Sequence, residues 1–122
     1  MEDFVTYDIA VKLKEKGFNV ECHAYYEPLK HCLNLSRVLQ TNSLAENYNC
    51  ITAPTISQVL KWLREEKCLH IEIQYIFSEE TIWEFEVVLI GSYERWWNES
   101  ESLDSYEQAV IAGIEYVIDK LI

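Results

Sequence analysis

The sequence predicts an α+β fold: two layers in the order α-β-α-β-β-α, with a three-stranded, mainly antiparallel sheet packed on helices, and residues 1–122 forming one domain. Three observations predict it. Apolar residues recur at helical spacing near each end and again over residues 55–67. Polar and apolar residues alternate over 18–26, and a second, paired alternation fills 69–90. With 122 residues, 49% hydrophobic, and 4 Trp, 8 Tyr and 4 Phe, the chain can bury one core without a disulfide or a metal.

The first helix is expected from about Thr6 to Lys16, where Val5, Ile9 and Leu13 recur every four residues and the lysines take the outer side. Gly17 is the stop, because it enters the left-handed conformation without penalty, and Phe18 is placed to close the cap against Leu13. From Phe18 the period becomes two. Phe18, Val20, Cys22, Ala24 and Tyr26 form the inward set of a strand that Pro28 ends. Residues 29–52 show no sustained period and read as a long connection, with Asn42, Asn47 and Asn49 favouring loop.

The helix expected over Thr55–Lys67 opens on Thr55-Ile56-Ser57-Gln58, the residue types of a capping box. Its stripe is Ile56, Val59, Leu60 and Leu63, with Trp62 at the edge. Leu69–Phe77 and Trp83–Ile90 read as a hairpin. A three-residue loop would set Glu72 opposite Glu86, a like-charge pair, so the five-residue loop Ser78–Ile82 is preferred; it pairs Ile73 with Val87, Tyr75 with Phe85 and Phe77 with Trp83. An acidic loop, Glu94–Asp104, precedes a last helix from Ser105 to Leu121 that is apolar on nearly every side. Such a helix needs either a central position or a partner subunit, so a homo-oligomer through this C-terminal helix is an expectation.

The formal net charge of −11, from 21 acids against 10 Lys and Arg, opposes a duplex-DNA or anionic-membrane surface. Neither direct nucleic-acid binding nor a membrane partner is expected. No apolar run reaches the ~18 residues of a membrane span. The acidic start, Met1-Glu2-Asp3, is unlike a secretory signal. A cytoplasmic setting follows as the expectation, with Cys22, Cys32, Cys50 and Cys68 as reduced thiols.

Three stretches carry a resemblance: Lys14-Glu15-Lys16-Gly17-Phe18 running into Cys22 and Tyr25-Tyr26; Ala53-Pro54-Thr55 running into Trp62-Leu63-Arg64-Glu65; and Ser105-Tyr106-Glu107-Gln108-Ala109. Together they resemble a family of small proteins encoded by phages and prophages of Bacteroides-type gut bacteria, over most of the chain except about residues 30–50. The resemblance implies a bacterial host, a cytoplasmic setting and a phage or mobile-element origin. It implies no activity, so no catalytic or ligand residue is carried over.

The residues themselves offer few sites. Cys22-His23, His31-Cys32, Cys50 and Cys68-Leu69-His70 supply seven soft ligands, but no Cys-x-x-Cys or other knuckle spacing occurs, and alternation sends Cys22 and His23 to opposite faces. Small buried thiols and surface histidines are the ordinary reading, and no metal or other cofactor is expected. Glu72, Glu84 and Glu86 share one sheet face, the pattern of any antiparallel sheet with one solvated side. No nucleophile elbow or phosphate loop is present; Gly17, Gly91 and Gly113 stand alone. The adjacent Trp96 and Trp97, beside Tyr93, cannot both enter one core if the segment is extended. An exposed Trp among polar groups has the composition of a binding hot spot.

The favoured reading is a non-enzymatic interaction protein that meets an unknown protein partner through Tyr93, Trp96 and Trp97. A small metal-assisted hydrolase using Cys22, His23 or His70, and an acidic decoy of a nucleic-acid-binding protein, stay open beside it.

Overall fold

The computed structural model describes residues 3–77, 83–97 and 103–122. The protein is α+β, with four α-helices and two three-stranded antiparallel sheets among the described residues. It forms two compact units, Met1–Trp62 and Leu63–Ile122, the division falling inside one helix.

In the first unit, α1 spans Tyr7–Glu15. The Thr6 hydroxyl accepts from the Ile9 amide at its start. At its end the Phe18 amide donates to the Leu13 carbonyl and the Gly17 amide to that of Lys14, the two bonds of a Schellman cap, with Gly17 at φ +89°. Leu13 and Phe18 are both buried, as the spacing predicts. With its amide committed to the cap, Phe18 does not begin the strand, and β1 is shorter than expected, Cys22–Tyr26. The alternation holds: Cys22, Ala24 and Tyr26 are buried, and His23 is exposed.

The reading of residues 29–52 as a connection is corrected. They contain β2 (Leu33–Gln40), a short helix α2 (Asn42–Ala45), a 3₁₀ turn over Glu46–Tyr48 and β3 (Ile51–Thr52). β2 and β3 flank β1, both antiparallel. The expected single sheet is therefore two, because β1 finds its partners in this segment and not in the later hairpin. β2 has no period to read, since it is an edge strand with Leu33, Leu35, Val38 and Leu39 all exposed. It also bulges: two steps along β1, Cys22 to Ala24, are matched by five along β2, Gln40 back to Leu35.

Asn42 holds this segment to the core. Its side-chain NH₂ donates to the Phe18 carbonyl (2.7 Å), and its side-chain oxygen accepts from both the amide and the hydroxyl of Thr52 (3.0 Å each). All three groups are buried.

α3, Ile56–Glu66, begins with the predicted reciprocal cap. The Thr55 hydroxyl accepts from the Gln58 amide, and the Gln58 side chain accepts from the Thr55 amide. Ala53 and Pro54 ahead of it are buried, and the Val5 amide donates to the Pro54 carbonyl. Trp62 is buried rather than at the edge of the stripe, its ring meeting Phe18 edge-on at 5.2 Å.

In the second unit, β4 (Leu69–Tyr75), β5 (Trp83–Leu89) and β6 (Arg95–Trp97) form the other sheet, with β5 central. The register differs from the preferred one. Ile71 pairs with Val87, Ile73 with Phe85 and Tyr75 with Trp83, so Glu72 does face Glu86. The loop residues Ser78–Ile82 lie outside the described residues. Phe77, expected as the last inward residue, is exposed beyond the strand end. The like-charge penalty that argued against this register is offset by a neighbour on β6, described below.

α4 spans Tyr106–Tyr116, capped by the Ser105 hydroxyl, and continues as a π-helical turn over Val117–Leu121. Ala109, Val110, Gly113, Ile114, Val117 and Ile118 are buried and Glu115 and Asp119 exposed, so the chain itself covers most of the apolar set. The helix reaches the sheet at Gly113. A Cβ there would lie 2.7 Å from Ile71 Cγ2 and 3.4 Å from Phe85 Cβ, which only glycine avoids.

Candidate interaction face

Part of the segment read as an acidic loop is structured by pairing. Gly91, at φ +84°, turns the chain after β5. The Ile90 amide donates to the Cys68 carbonyl and the Leu89 amide to that of Glu94. β6 then runs back along β5, with Val88 opposite Arg95, Val87 opposite Trp96 and Glu86 opposite Trp97. Residues 98–102, including Glu99 and Glu101 of the same reading, lie outside the described residues.

Strand alternation separates the two tryptophans. Trp96 shares the face of Ile71, Val87 and Phe85, on which α4 packs, and is half-buried. Trp97 takes the opposite face, beside Glu86, and is 49% exposed. Tyr93, in the turn, is fully exposed. Of the three candidate residues, Trp97 and Tyr93 are exposed, and Trp96 is half-buried on the face against which α4 packs.

The face that carries Trp97 also carries the glutamates. Its rows are His70–Val88–Arg95, Glu72–Glu86–Trp97 and Gln74–Glu84. Glu86 is 4% exposed and is neutralised in place. Arg95 Nη1 lies 2.5 Å from one carboxylate oxygen, and Gln74 donates to the other at 2.9 Å. The Glu86 hydrogen bond and charge, reinforced by the charge of Glu72, raise the Arg95 pKa above its already high ordinary value. Arg95 thus pairs with Glu86 from the β6 side and feels the charge of Glu72 beyond it, which offsets the like-charge cost of the Glu72–Glu86 register. Sequence reasoning gives Arg95 no role; its spacing, two residues from Trp97 on an alternating strand, is the available signal.

The acids are not scattered evenly. The first unit has 7 acids and 6 bases, net −1; the second has 14 acids and 4 bases, net −10. The charge belongs almost wholly to the unit that exposes Trp97 and Tyr93.

The cysteine–histidine constellations are not assembled. Among the described residues no group of three His, Cys, Asp or Glu side chains could hold a metal ion. Cys22 and His23 fall on opposite faces of β1, and His31 stacks on Tyr7 at 3.7 Å. All four cysteines are free, but only Cys22 is buried; Cys32 and Cys68 are exposed and Cys50 is intermediate, which corrects the expectation of buried thiols. Burial pushes the Cys22 thiol up to about 11. In the native protein a thiol reagent therefore labels Cys32 and Cys68 first and Cys22 only on unfolding. Stability should fall as pH rises from about 9 toward 11, because the unfolded chain ionises at the lower value while the fold still holds its proton. Mass spectrometry of timed alkylation checks the first statement and urea melts against pH the second.

No described helix is long and apolar enough to cross a membrane. Comparison with known proteins finds no matching family model, no matching curated protein and no matching solved structure.

Proposed function

We propose that the chain is a non-enzymatic protein-interaction module of phage or mobile-element origin, acting in the cytoplasm. Its binding surface is the polar face of the β4-β5-β6 sheet together with the turn before β6. One observation carries this reading: Trp97 and Tyr93 are exposed on a unit of net charge −10. Large exposed aromatics held on a strand are the residue types that dominate binding energy, because they bury much area at little entropic cost. A surrounding field of carboxylates selects partners with basic surfaces and speeds their encounter. The same field favours, as a second reading, a decoy that occupies the basic groove of a nucleic-acid-binding protein. A dimer through α4 is a separate proposal, for which Ile111, Ala112 and Leu121 are the half-buried positions.

The test is affinity capture from a bacterial host lysate with the wild type and with the Tyr93→Ala, Trp97→Ala double variant. The variant should lose its specific partner, with affinity for it falling about 30-fold or more if Trp97 is a hot spot. Capture that survives the double substitution overturns the proposal. Stoichiometric zinc or iron in the purified protein would instead favour the metal-assisted hydrolase.

A further inference from the structure

The exposed apolar residues of the two units differ in kind. Those of the first unit are nearly all aliphatic and cluster in one segment: Leu29, Leu33, Leu35, Val38, Leu39 and Leu44, with Leu35 at 74% and Val38 at 67%. The segment around them, residues 28–45, contains no acid and carries Lys30 and Arg37, both exposed. In the second unit the exposed set is mainly aromatic, including Tyr75, Tyr93 and Trp97, and lies in the acidic half of the chain. One surface is aliphatic and locally basic, the other aromatic and acidic.

Exposed aliphatic side chains gathered in one segment mark an interaction surface more readily than scattered ones do. Contact between two copies of the β2 surface would bring Lys30 and Arg37 against their own kind, and contact between two acidic units would set −10 against −10. Pairing the β2 surface with the acidic unit is the combination that puts opposite local charges together, and it joins units of net −1 and −10. Complementary fields of this kind fix partner choice and register. We infer that the β2 surface docks on the Trp97 face of a second copy of this chain. Reciprocal contacts close a dimer, and one-sided contacts extend into a longer assembly. This rests on the reading of the Trp97 face as a binding surface and names a partner for it.

Charge exchange tests it. One variant carries Lys30→Glu and Arg37→Glu, the other Glu72→Lys and Glu94→Lys; all four positions are exposed, and circular dichroism with a thermal melt confirms that each variant folds. Light scattering behind size exclusion should show wild-type association within the range up to about 0.5 mM. Each variant alone should associate about tenfold more weakly or worse, and an equimolar mixture of the two should recover association, because unlike charges meet again at the contact between them. Three results overturn the inference: a wild type monomeric throughout, association indifferent to both exchanges (the outcome of an α4 dimer), or no recovery on mixing. A β2 surface that serves another protein or an anionic vesicle gives the first of these. If the purified chain is monomeric while lysate capture still depends on Tyr93 and Trp97, self-docking fails and the interaction reading stands. If capture also survives the Tyr93→Ala, Trp97→Ala substitution, both fall.

Discussion

Replacing Asn42 by alanine should lower the unfolding free energy by about 2–4 kcal/mol, a large effect for a residue that touches no candidate site. The side chain closes three hydrogen bonds inside the first unit, one to the Phe18 carbonyl and two from Thr52. Alanine takes the Asn42 partner from the buried Phe18 carbonyl and Thr52 amide, while the Thr52 hydroxyl keeps the Cys22 thiol beside it, and it is the desolvation of the first two groups that dominates the cost. Thr52→Val, which removes only the hydroxyl donor, should cost about 1 kcal/mol. Urea unfolding of both variants measures the difference. A loss below about 0.5 kcal/mol for Asn42→Ala would show that water reaches these groups.

The second large effect is expected at Gly113. Alanine would gain about 1 kcal/mol of helix propensity. Its Cβ, however, meets Ile71 Cγ2 at 2.7 Å, against a β-branched side chain on a paired strand that cannot swing aside. Overpacking of this kind costs about 1–3 kcal/mol, so Gly113→Ala should be net destabilising and Gly113→Val more so. Relief should come from Ile71→Ala, which removes the opposing methyl. The double variant Ile71→Ala, Gly113→Ala should then cost less than the sum of the two single changes, with a coupling of about 0.5–3 kcal/mol. Strict additivity in thermal melts would show that α4 has shifted off the sheet instead.

Legibility in the sequence followed local determination. The α1 stop, the reciprocal cap of α3 and the inward Cys22, Ala24 and Tyr26 of β1 are fixed by residues within a few positions of one another, and they stand where the spacing puts them. β2 was missed because burial, the source of strand periodicity, is absent along it. The hairpin register was misjudged because the deciding residue, Arg95, comes from a third strand that the two-strand argument did not contain. Gly113 gave no sign because its constraint is a close approach from residues about 30 to 40 positions away. For the candidate face, the two-sidedness of Trp96 and Trp97 was readable from adjacency alone, while the meeting of Trp97 with Glu86 needed the pairing of β6.

The bulge in β2 bears on what the exposed leucines cost the cell. A flat edge strand lined with apolar side chains invites another strand to add to it, and repeated addition is the route to fibres. Here the Ser36 hydroxyl accepts from the Val38 amide and donates to the Val38 carbonyl, so both backbone groups of Val38 are engaged within the strand itself. The five-for-two mismatch against β1 breaks the regular spacing that an incoming strand would have to match. β2 therefore presents stickiness through its side chains while denying a backbone template. A variant that removed the three surplus residues would straighten the edge, and fibrillar aggregation is the property it should acquire.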